Sequence, residues 1–290
     1  MTIELRRLII ISGLSGAGKT IALNTLEDMG LYCIDNLPIS LLPEFANQID
    51  KQSIQATSEI AIGIDARNPA EEIVKLPGII KQLKSDNLTV ELVFIEANDD
   101  TLTRRFSETR RKHPLSSRTV PLAEAIKKER HVMESLSEHA DLRLDTSHTL
   151  LHELRDIVRK RIAHRLPDKL SIQFLSFGYK NGVPRDADYV FDVRCLPNPY
   201  WQENLRGLNG RDGAVMDYLA GQELVTIMIE QICQFVQNWL PHFRDENRSY
   251  LCVAVGCTGG QHRSVYITEQ LASRMLAGQD HVIVIHRDIR

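Results

Sequence analysis

The run Leu8-Ile9-Ile10-Ile11-Ser12-Gly13-Leu14-Ser15-Gly16-Ala17-Gly18-Lys19-Thr20 decides the fold of the first half of this chain. Residues 13–20 fit G-x-x-x-x-G-K-[ST], and their surroundings are those the motif needs. Leu8–Ile11 is a short apolar stretch of buried-strand type. Ile21–Met29 puts Ala22, Leu26 and Met29 at helical spacing, and Gly30 follows as a stop. A strand, a Gly-rich turn and a helix aim a nest of backbone N–H groups at a helix N-terminus, where anions bind. Gly13, Gly16 and Gly18 permit close approach and unusual dihedrals. In this motif Lys19 reaches the β- and γ-phosphates, and Thr20 places its hydroxyl on Mg2+. The motif predicts a site for a nucleoside triphosphate.

Outward from this loop, strand and helix signals alternate. Strand patterns cover 7–12, 31–35, 59–65, 90–96 and 141–145. Helical patterns lie near 18–29, 38–52, 70–84, 99–111, 121–139 and 148–165. Alternation of this kind predicts a mostly parallel sheet with helices on both faces. After Arg165-Leu166-Pro167-Asp168 a second pattern begins. Strands are expected at 170–177, 188–193, 250–256 and 281–286, with 213–239 mostly helical and a helix at 264–277. The expected fold class is α/β: a P-loop NTPase, kinase-like, parallel-sheet domain over 1–166, then a smaller α/β domain over 168–290.

Composition agrees with a folded protein of this size. The 290 residues favour two domains, each long enough to bury its own core. Hydrophobic residues make up 43% and charged residues 25%, with a net charge of −3, so any nucleic-acid binding must come from a local patch. The apolar run near the N-terminus is four residues long and ends in the phosphate loop, which does not read as a signal peptide. No stretch approaches a membrane span. Five scattered cysteines without C-x-x-C spacing fit a reducing cytoplasm and give no zinc signal.

A triphosphate site needs a further acid to hold Mg2+, usually at the end of an apolar strand. Two runs qualify: Glu59–Ile64 ending in Asp65, and Leu92–Ile95 ending in Glu96. Residue type favours Asp65. Asp35 is expected at the same sheet edge, where ligands of open α/β sheets bind. The segment Arg104–Pro114 contains Arg104, Arg105, Arg110 and Arg111, at the point where small-molecule P-loop kinases carry an arginine lid. Arginine forks match phosphate oxygens, so these four are candidate phosphate contacts. Asp145-Thr146-Ser147 reads as a strand end followed by a helix N-cap. No N-K-x-D stretch occurs, so the chemistry does not choose between ATP and GTP.

The second domain repeats the anion-site pattern. Gly256-Cys257-Thr258-Gly259-Gly260-Gln261-His262-Arg263-Ser264 lies between an apolar strand and a helix. Three readings stand: a site for a phosphorylated small molecule or an RNA phosphate, a covalent phosphatase built on Cys257 and Arg263, and a structural turn. The first is favoured by the glycine pair, His262 and Arg263. The second is weakened because Gly256 stands where such phosphatases usually carry histidine. Arg194 and Asn198 are further polar candidates, and Tyr200 and Trp201 offer stacking surfaces or domain packing.

The segments GLSGAGKT, LEDMGLYCIDNLP, DARN, ETRRKHPLS, FGYKNGVPRDADYVFDVRCLPNPYW and GCTGGQHRSVYI occur together and in order. In this the chain resembles the RapZ/YvcJ family of nucleotide-binding proteins over nearly its whole length. The resemblance implies a cytoplasmic homo-oligomer with a kinase-like N-terminal domain and weak ATPase and GTPase activity. It places ATP at Gly13–Thr20, where the motif reading makes Lys19, Thr20 and Asp65 the catalytic set, with Thr20 and Asp65 on Mg2+. It places GTP at Asp65-Ala66-Arg67-Asn68. One branch of the family binds small regulatory RNA through the C-terminal domain, presents it to a ribonuclease, and links this to amino-sugar metabolism. That branch ends in a cluster of lysines and arginines. This chain ends in Gln279–Arg290, with two arginines, two aspartates and no lysine, a weak footprint for RNA phosphates. The expected function is a nucleotide-binding regulator, sensing a phosphorylated metabolite and acting as an RNase adapter. The alternative is a small-molecule kinase using the lid arginines and Asp35.

Overall fold

The computed structural model describes residues 6–50, 59–84, 88–163, 170–246, 248, 250–276 and 281–289. The chain divides into two compact units, Met1–Ala163 and His164–Arg290. The break expected at 165–168 lies outside the described residues, as does Arg290.

The first unit is built on β1 (Arg6–Gly13), α1 (Lys19–Asp28), β2 (Tyr32–Ile34), α2 (Leu42–Asp50), β3 (Glu59–Gly63) and α3 (Ala70–Leu83). It continues with β4 (Leu88–Glu96), α4 (Asp99–Thr109), α5 (Leu122–Glu138), β5 (Leu142–Asp145) and α6 (Leu151–Val158). Its five strands are all parallel, in the order β2-β3-β1-β4-β5. The central strand is buried from Arg7 onward, which is why Leu8–Ile11 is continuously apolar rather than alternating. The buried charge on this strand is paired: Arg7 donates to Glu59 at 3.1 Å and to Glu91 at 2.9 Å on the flanking strands. Because every strand runs the same way, Gly13, Ile34, Gly63, Glu96 and Asp145 all end along one edge. Open α/β sheets bind ligands there.

The second unit has β6 (Ser171–Gly178), β7 (Tyr189–Asp192), α7 (Gly213–Ala220), α8 (Glu223–Asp245), β8 (Tyr250–Cys257), α9 (Arg263–Leu276) and β9 (Val282–His286). Its strands are also parallel, in the order β7-β8-β6-β9. One core cluster joins Ile172, Phe174, Val253 and Val255 of the sheet to Val225, Ile229, Val236 and Ile267 of the helices.

Helix ends differ from the sequence expectation. The helix expected over 99–111 stops at Thr109, because Arg110 turns left-handed at φ 52°. The helix expected over 148–165 is α6 followed by a five-residue π-helical turn, 159–163. The stretch 213–239 holds two helices separated at Gly221-Gln222, and the second runs on to Asp245 through Pro241. Asp145-Thr146-Ser147 does not cap a helix. Ser147 donates its backbone N–H to Asp145 and accepts from the Asn98 N–H at 2.8 Å, so the turn ties β5 to the start of α4.

Candidate functional site

The loop between β1 and α1 needs its glycines. Gly13, Gly16 and Gly18 stand at φ 136°, 83° and 120°, a region side chains disfavour. A Cβ on Gly13 would lie 1.9 Å from the Ile95 carbonyl oxygen of β4. Lys19 opens α1, and its Nζ donates to the Gly13 carbonyl at 2.7 Å, so the side chain folds back over the loop. Burial draws its ammonium below the usual lysine range, against the opposing pull of Glu129, Asp65 and Asp35. Thr20 is exposed beside it.

Asp65 follows β3 and is buried, while Arg67 is half exposed. The Arg67 guanidinium grips both carboxylate oxygens, with Nε at 3.0 Å from each and Nη2 at 2.7 Å from Oδ2. Burial pushes the Asp65 carboxyl upward. The Arg67 hydrogen bonds and the Lys19 charge outweigh it and hold the group below the usual carboxylate range. Ala66 is buried in the turn. Asn68 locks the turn to the loop after β2: it accepts from the Ile39 N–H at 3.0 Å and donates to the Asp65 carbonyl at 3.3 Å. Asp35 lies on that second loop, with Oδ1 2.7 Å from where a Cβ on Gly63 would stand. The competing acid, Glu96, is almost fully buried and holds Arg143 on β5 and Arg130 on α5. Its carboxylate is committed to the fold.

The four arginines of the basic segment part company. Arg104 is exposed and reaches Glu108 only at 3.9 Å. Arg110 and Arg111 are exposed. Arg105 instead turns inward. It donates to the carbonyls of Gly16 at 3.1 Å and Thr146 at 2.7 Å and to the Thr146 hydroxyl at 3.0 Å. Its fork is matched to the back of the phosphate loop. Thr146 in turn donates to the Ala17 carbonyl at 2.8 Å.

Sequence reasoning missed the residue most tightly joined to the loop. Glu129 on α5 is fully buried and accepts the Ser15 N–H at 2.9 Å and the Ser15 hydroxyl at 2.7 Å. His113 Nε2 lies 3.0 Å from the same carboxylate. Burial pushes the Glu129 carboxyl up, and these hydrogen bonds outweigh it, leaving it below the usual range. The signal was present: Ala125, Ile126, Met133 and Leu136 form the buried stripe of α5, and Glu129 falls within it. A carboxylate at a core position must be paired.

In the second unit, the loop after β8 is held from beneath. A Cβ on Gly256 would lie 2.4 Å from the Phe177 ring, and one on Gly178 would lie 2.6 Å from the Gly259 backbone. Cys257 is buried; its Sγ accepts the Gly260 N–H at 3.2 Å and lies 3.1 Å from the Ser264 hydroxyl. Arg263, 4% exposed, opens α9 and donates to the carbonyls of Arg194 and Leu196 at 2.8 and 2.9 Å. Its Nε has no hydrogen-bond partner among the described residues. His262 is buried with Nε2 3.2 Å from the Leu205 carbonyl.

Thr258 is exposed at the loop tip, and Lys180 Nζ lies 4.0 Å from where a Gly259 Cβ would stand. The Arg194 guanidinium, half exposed, pairs with Asp192 and stacks on the Tyr179 ring at 4.0 Å. Asn198 accepts the Tyr200 N–H at 3.3 Å and starts a short turn. The structure thus brings Thr258, Gly259, Lys180 and Arg194 to an accessible edge, with Cys257, Gly260, His262, Arg263 and Ser264 buried behind it. The carboxylate of Asp288 closes the far side, accepting from the Gly178 N–H at 2.6 Å and Asn181 at 2.7 Å.

A glycine-rich loop running into a helix at the C-terminal edge of a parallel β2-β3-β1-β4-β5 sheet defines the first unit as a P-loop domain. A RapZ-like N-terminal domain matches residues 6–165 and the RapZ C-terminal domain matches residues 170–290, and the chain belongs to that family. It is 53% identical to a nucleotide-binding protein of Alkalilimnicola ehrlichii, with 98% of each chain covered. It is 51% identical to a nucleotide-binding protein of Nitrosococcus oceani, covering 98% of this chain and 99% of that one. Among solved structures it is similar to shikimate kinase from Acinetobacter baumannii in complex with shikimate. There the identity is 15% and the TM-score 0.35, over 56% of this chain and 96% of that one. No described helix is long and apolar enough to cross a membrane.

Proposed function

We propose that this protein is a nucleotide-binding regulator, taking ATP or GTP with Mg2+ at Gly13–Thr20 and hydrolysing it slowly. The observation that carries the reading is the loop itself: three left-handed glycines, backed by Arg105, Thr146 and Glu129, with Lys19 folded over it. A preformed loop of this kind presents backbone N–H groups to phosphate oxygens without reorganisation. Lys19 supplies a mobile cation for the β- and γ-phosphates. Thr20 and Asp65 are oxygen donors, the kind Mg2+ takes, although Arg67 must share the Asp65 carboxylate. The metal neutralises phosphate charge when bound. Arg104, Arg110 and Arg111 are the exposed cations available to phosphate, and Arg105 acts on the loop backbone. The Asp65–Asn68 turn, rigid through Asn68, is the second nucleotide segment.

In the C-terminal domain the reading is an anion site at Thr258, Gly259 and Gly260, flanked by Lys180 and Arg194, for a phosphorylated small metabolite or an RNA phosphate. Arg263 and His262 shape that loop from behind. A role as a cytoplasmic, homo-oligomeric RNase adapter rests on membership of the family.

One observation favours a second reading. Asp35, held against Gly63 beside the Asp65–Arg67 pair, would suit a small hydroxyl-bearing phosphoryl acceptor. ATP turnover by the purified protein separates the two. Slow turnover that ignores an added metabolite extract supports the regulator. A sharp rise on adding the extract supports the kinase.

A further inference from the structure

The helices α4 and α5 both grip the outer side of the phosphate loop, and the exposed cations Arg110, Arg111 and Lys112 lie on the connection between them. From α4, Arg105 donates to the Gly16 carbonyl, and the Phe106 ring lies 3.1 Å from where a Gly16 Cβ would stand. From α5, Glu129 accepts both donors of Ser15. From the connection itself, His113 joins the same carboxylate. The Leu115 N–H points at His113 Nδ1 at 3.1 Å, so that nitrogen is the acceptor and Nε2 carries the proton donated to Glu129. The His113 carbonyl accepts the Ser116 N–H and hydroxyl, and its ring packs on Phe106 at 5.1 Å. His113, Glu129 and Ser15 are all buried, with side chains of His113 and Glu129 fully so.

A buried carboxylate bonded on one side to the loop and on the other to the basic connection cannot follow one without disturbing the other. Breaking either side leaves a buried donor or charge unpaired, which is costly. We propose that Glu129 is a positioning residue that couples the phosphate loop to the basic segment Arg110–Lys112 through His113, so that an anion bound on the loop fixes where those cations stand. This rests on the nucleotide reading above. It gives the geometry of three donors on one carboxylate a purpose beyond packing: loop occupancy is passed to an exposed cationic patch through fixed hydrogen bonds.

The carboxylate geometry also supplies a discriminating variant. In Glu129→Gln the amide oxygen can replace Oε2 and accept from Ser15 N–H and His113, while the amide nitrogen replaces Oε1 and donates to the Ser15 hydroxyl. The network survives without the charge. Glu129→Ala removes it, and His113→Phe cuts only the link to the basic segment.

The test is hydrogen exchange of the 110–118 amides in the full-length protein, with and without ATP and Mg2+, alongside calorimetry of ATP binding. In the parent, ATP slows exchange across 110–118 by at least about tenfold. Glu129→Ala abolishes that protection and lowers ATP affinity at least about tenfold, and Glu129→Gln recovers most of both. His113→Phe binds ATP within a few-fold of the parent and has lost the protection. If Glu129→Ala does not fold, His113→Phe decides alone. Protection retained in His113→Phe overturns the coupling, as does a parent that binds ATP with no change at 110–118. A parent that binds no ATP overturns the nucleotide reading instead, and the coupling with it.

Discussion

The Arg263 guanidinium donates to the carbonyl of Arg194 at 2.8 Å, so the arginine of the C-terminal loop holds backbone before it holds any ligand. It is buried, and its second acceptor is the Leu196 carbonyl.

Arg263→Ala therefore takes the donor from the buried Leu196 carbonyl and from that of Arg194, and should cost the C-terminal domain about 1–3 kcal/mol of stability, read as a lowered denaturation midpoint. Cys257→Ser keeps a side chain able to accept the Gly260 N–H and to meet Ser264, and should retain binding of a phosphorylated ligand within a few-fold. Hydrolysis of an aryl phosphate by the parent, abolished in Cys257→Ser, would instead favour the covalent phosphatase.

Gly13→Ala should cost at least about 2 kcal/mol, since a Cβ meets the Ile95 carbonyl at 1.9 Å in a backbone region alanine disfavours. Gly30→Ala is the control. Its φ is 93°, but nothing lies within 4 Å, so only the dihedral strain of about 1 kcal/mol remains. Equal urea midpoints for the two variants would remove the steric account of the loop.

Stability of the C-terminal domain should fall as pH drops below about 6.5, the unfolded histidine value. Burial draws His262 below the usual imidazole range, and burial does the same to His286 despite its Glu269 partner. Below pH 6.5 the unfolded chain takes up protons that the folded domain resists, so the stability present above that pH is progressively lost. Thermal unfolding at pH 7.5 and 5.5, with hydrogen exchange assigning the transition to residues 170–289, checks this. A double His262→Gln and His286→Gln variant should flatten the dependence. Carboxylates held low, such as Asp192, act only at more acidic pH.

Two of the cations that the sequence offers for RNA are turned inward. Arg263 is buried, and Arg287 donates to the carbonyls of Gly178 and Gly182, so neither projects outward. Lys180, Arg185, Arg194 and Arg274 remain exposed, as are Arg206, Arg211, Arg244 and Arg248 of the same unit. At about −0.9 per duplex phosphate contact, the slope of log affinity against log salt should be no steeper than roughly −7 for contacts made by this unit. Gel shifts of the full-length protein at several salt concentrations measure it. Absence of any shift at low salt would exclude the adapter role.

How legible each part was depends on how local its cause is. The phosphate loop could be read because its glycines, Lys19 and Thr20 are contiguous and their neighbours show strand and helix periods. Parallel strands buried on both faces, such as Leu8–Ile11 and Leu251–Val255, announce themselves as apolar runs. Helix ends were less legible. The left-handed turn at Arg110 replaces the glycine that usually marks such a stop, and the break at Gly221-Gln222 lies inside a run of good helix formers. The Arg104–Arg111 cluster read as one cationic lid, yet Arg105 alone faces the carbonyls behind the loop, a distinction that only tertiary packing makes. Glu129 is 114 residues from Ser15, and no local pattern carries that distance.

The central claim is that Gly13–Thr20 binds a nucleoside triphosphate through Lys19. Calorimetry of ATP with Mg2+ against the parent and Lys19→Ala tests it most directly, with circular dichroism confirming that both are folded. The ammonium bonds only the Gly13 carbonyl within the loop, so its loss should leave the fold intact. The variant should bind ATP at least about tenfold more weakly, matching one charge-assisted hydrogen bond of about 1.5–3 kcal/mol. Equal ATP affinity in the two proteins, or none in the parent, would contradict the account.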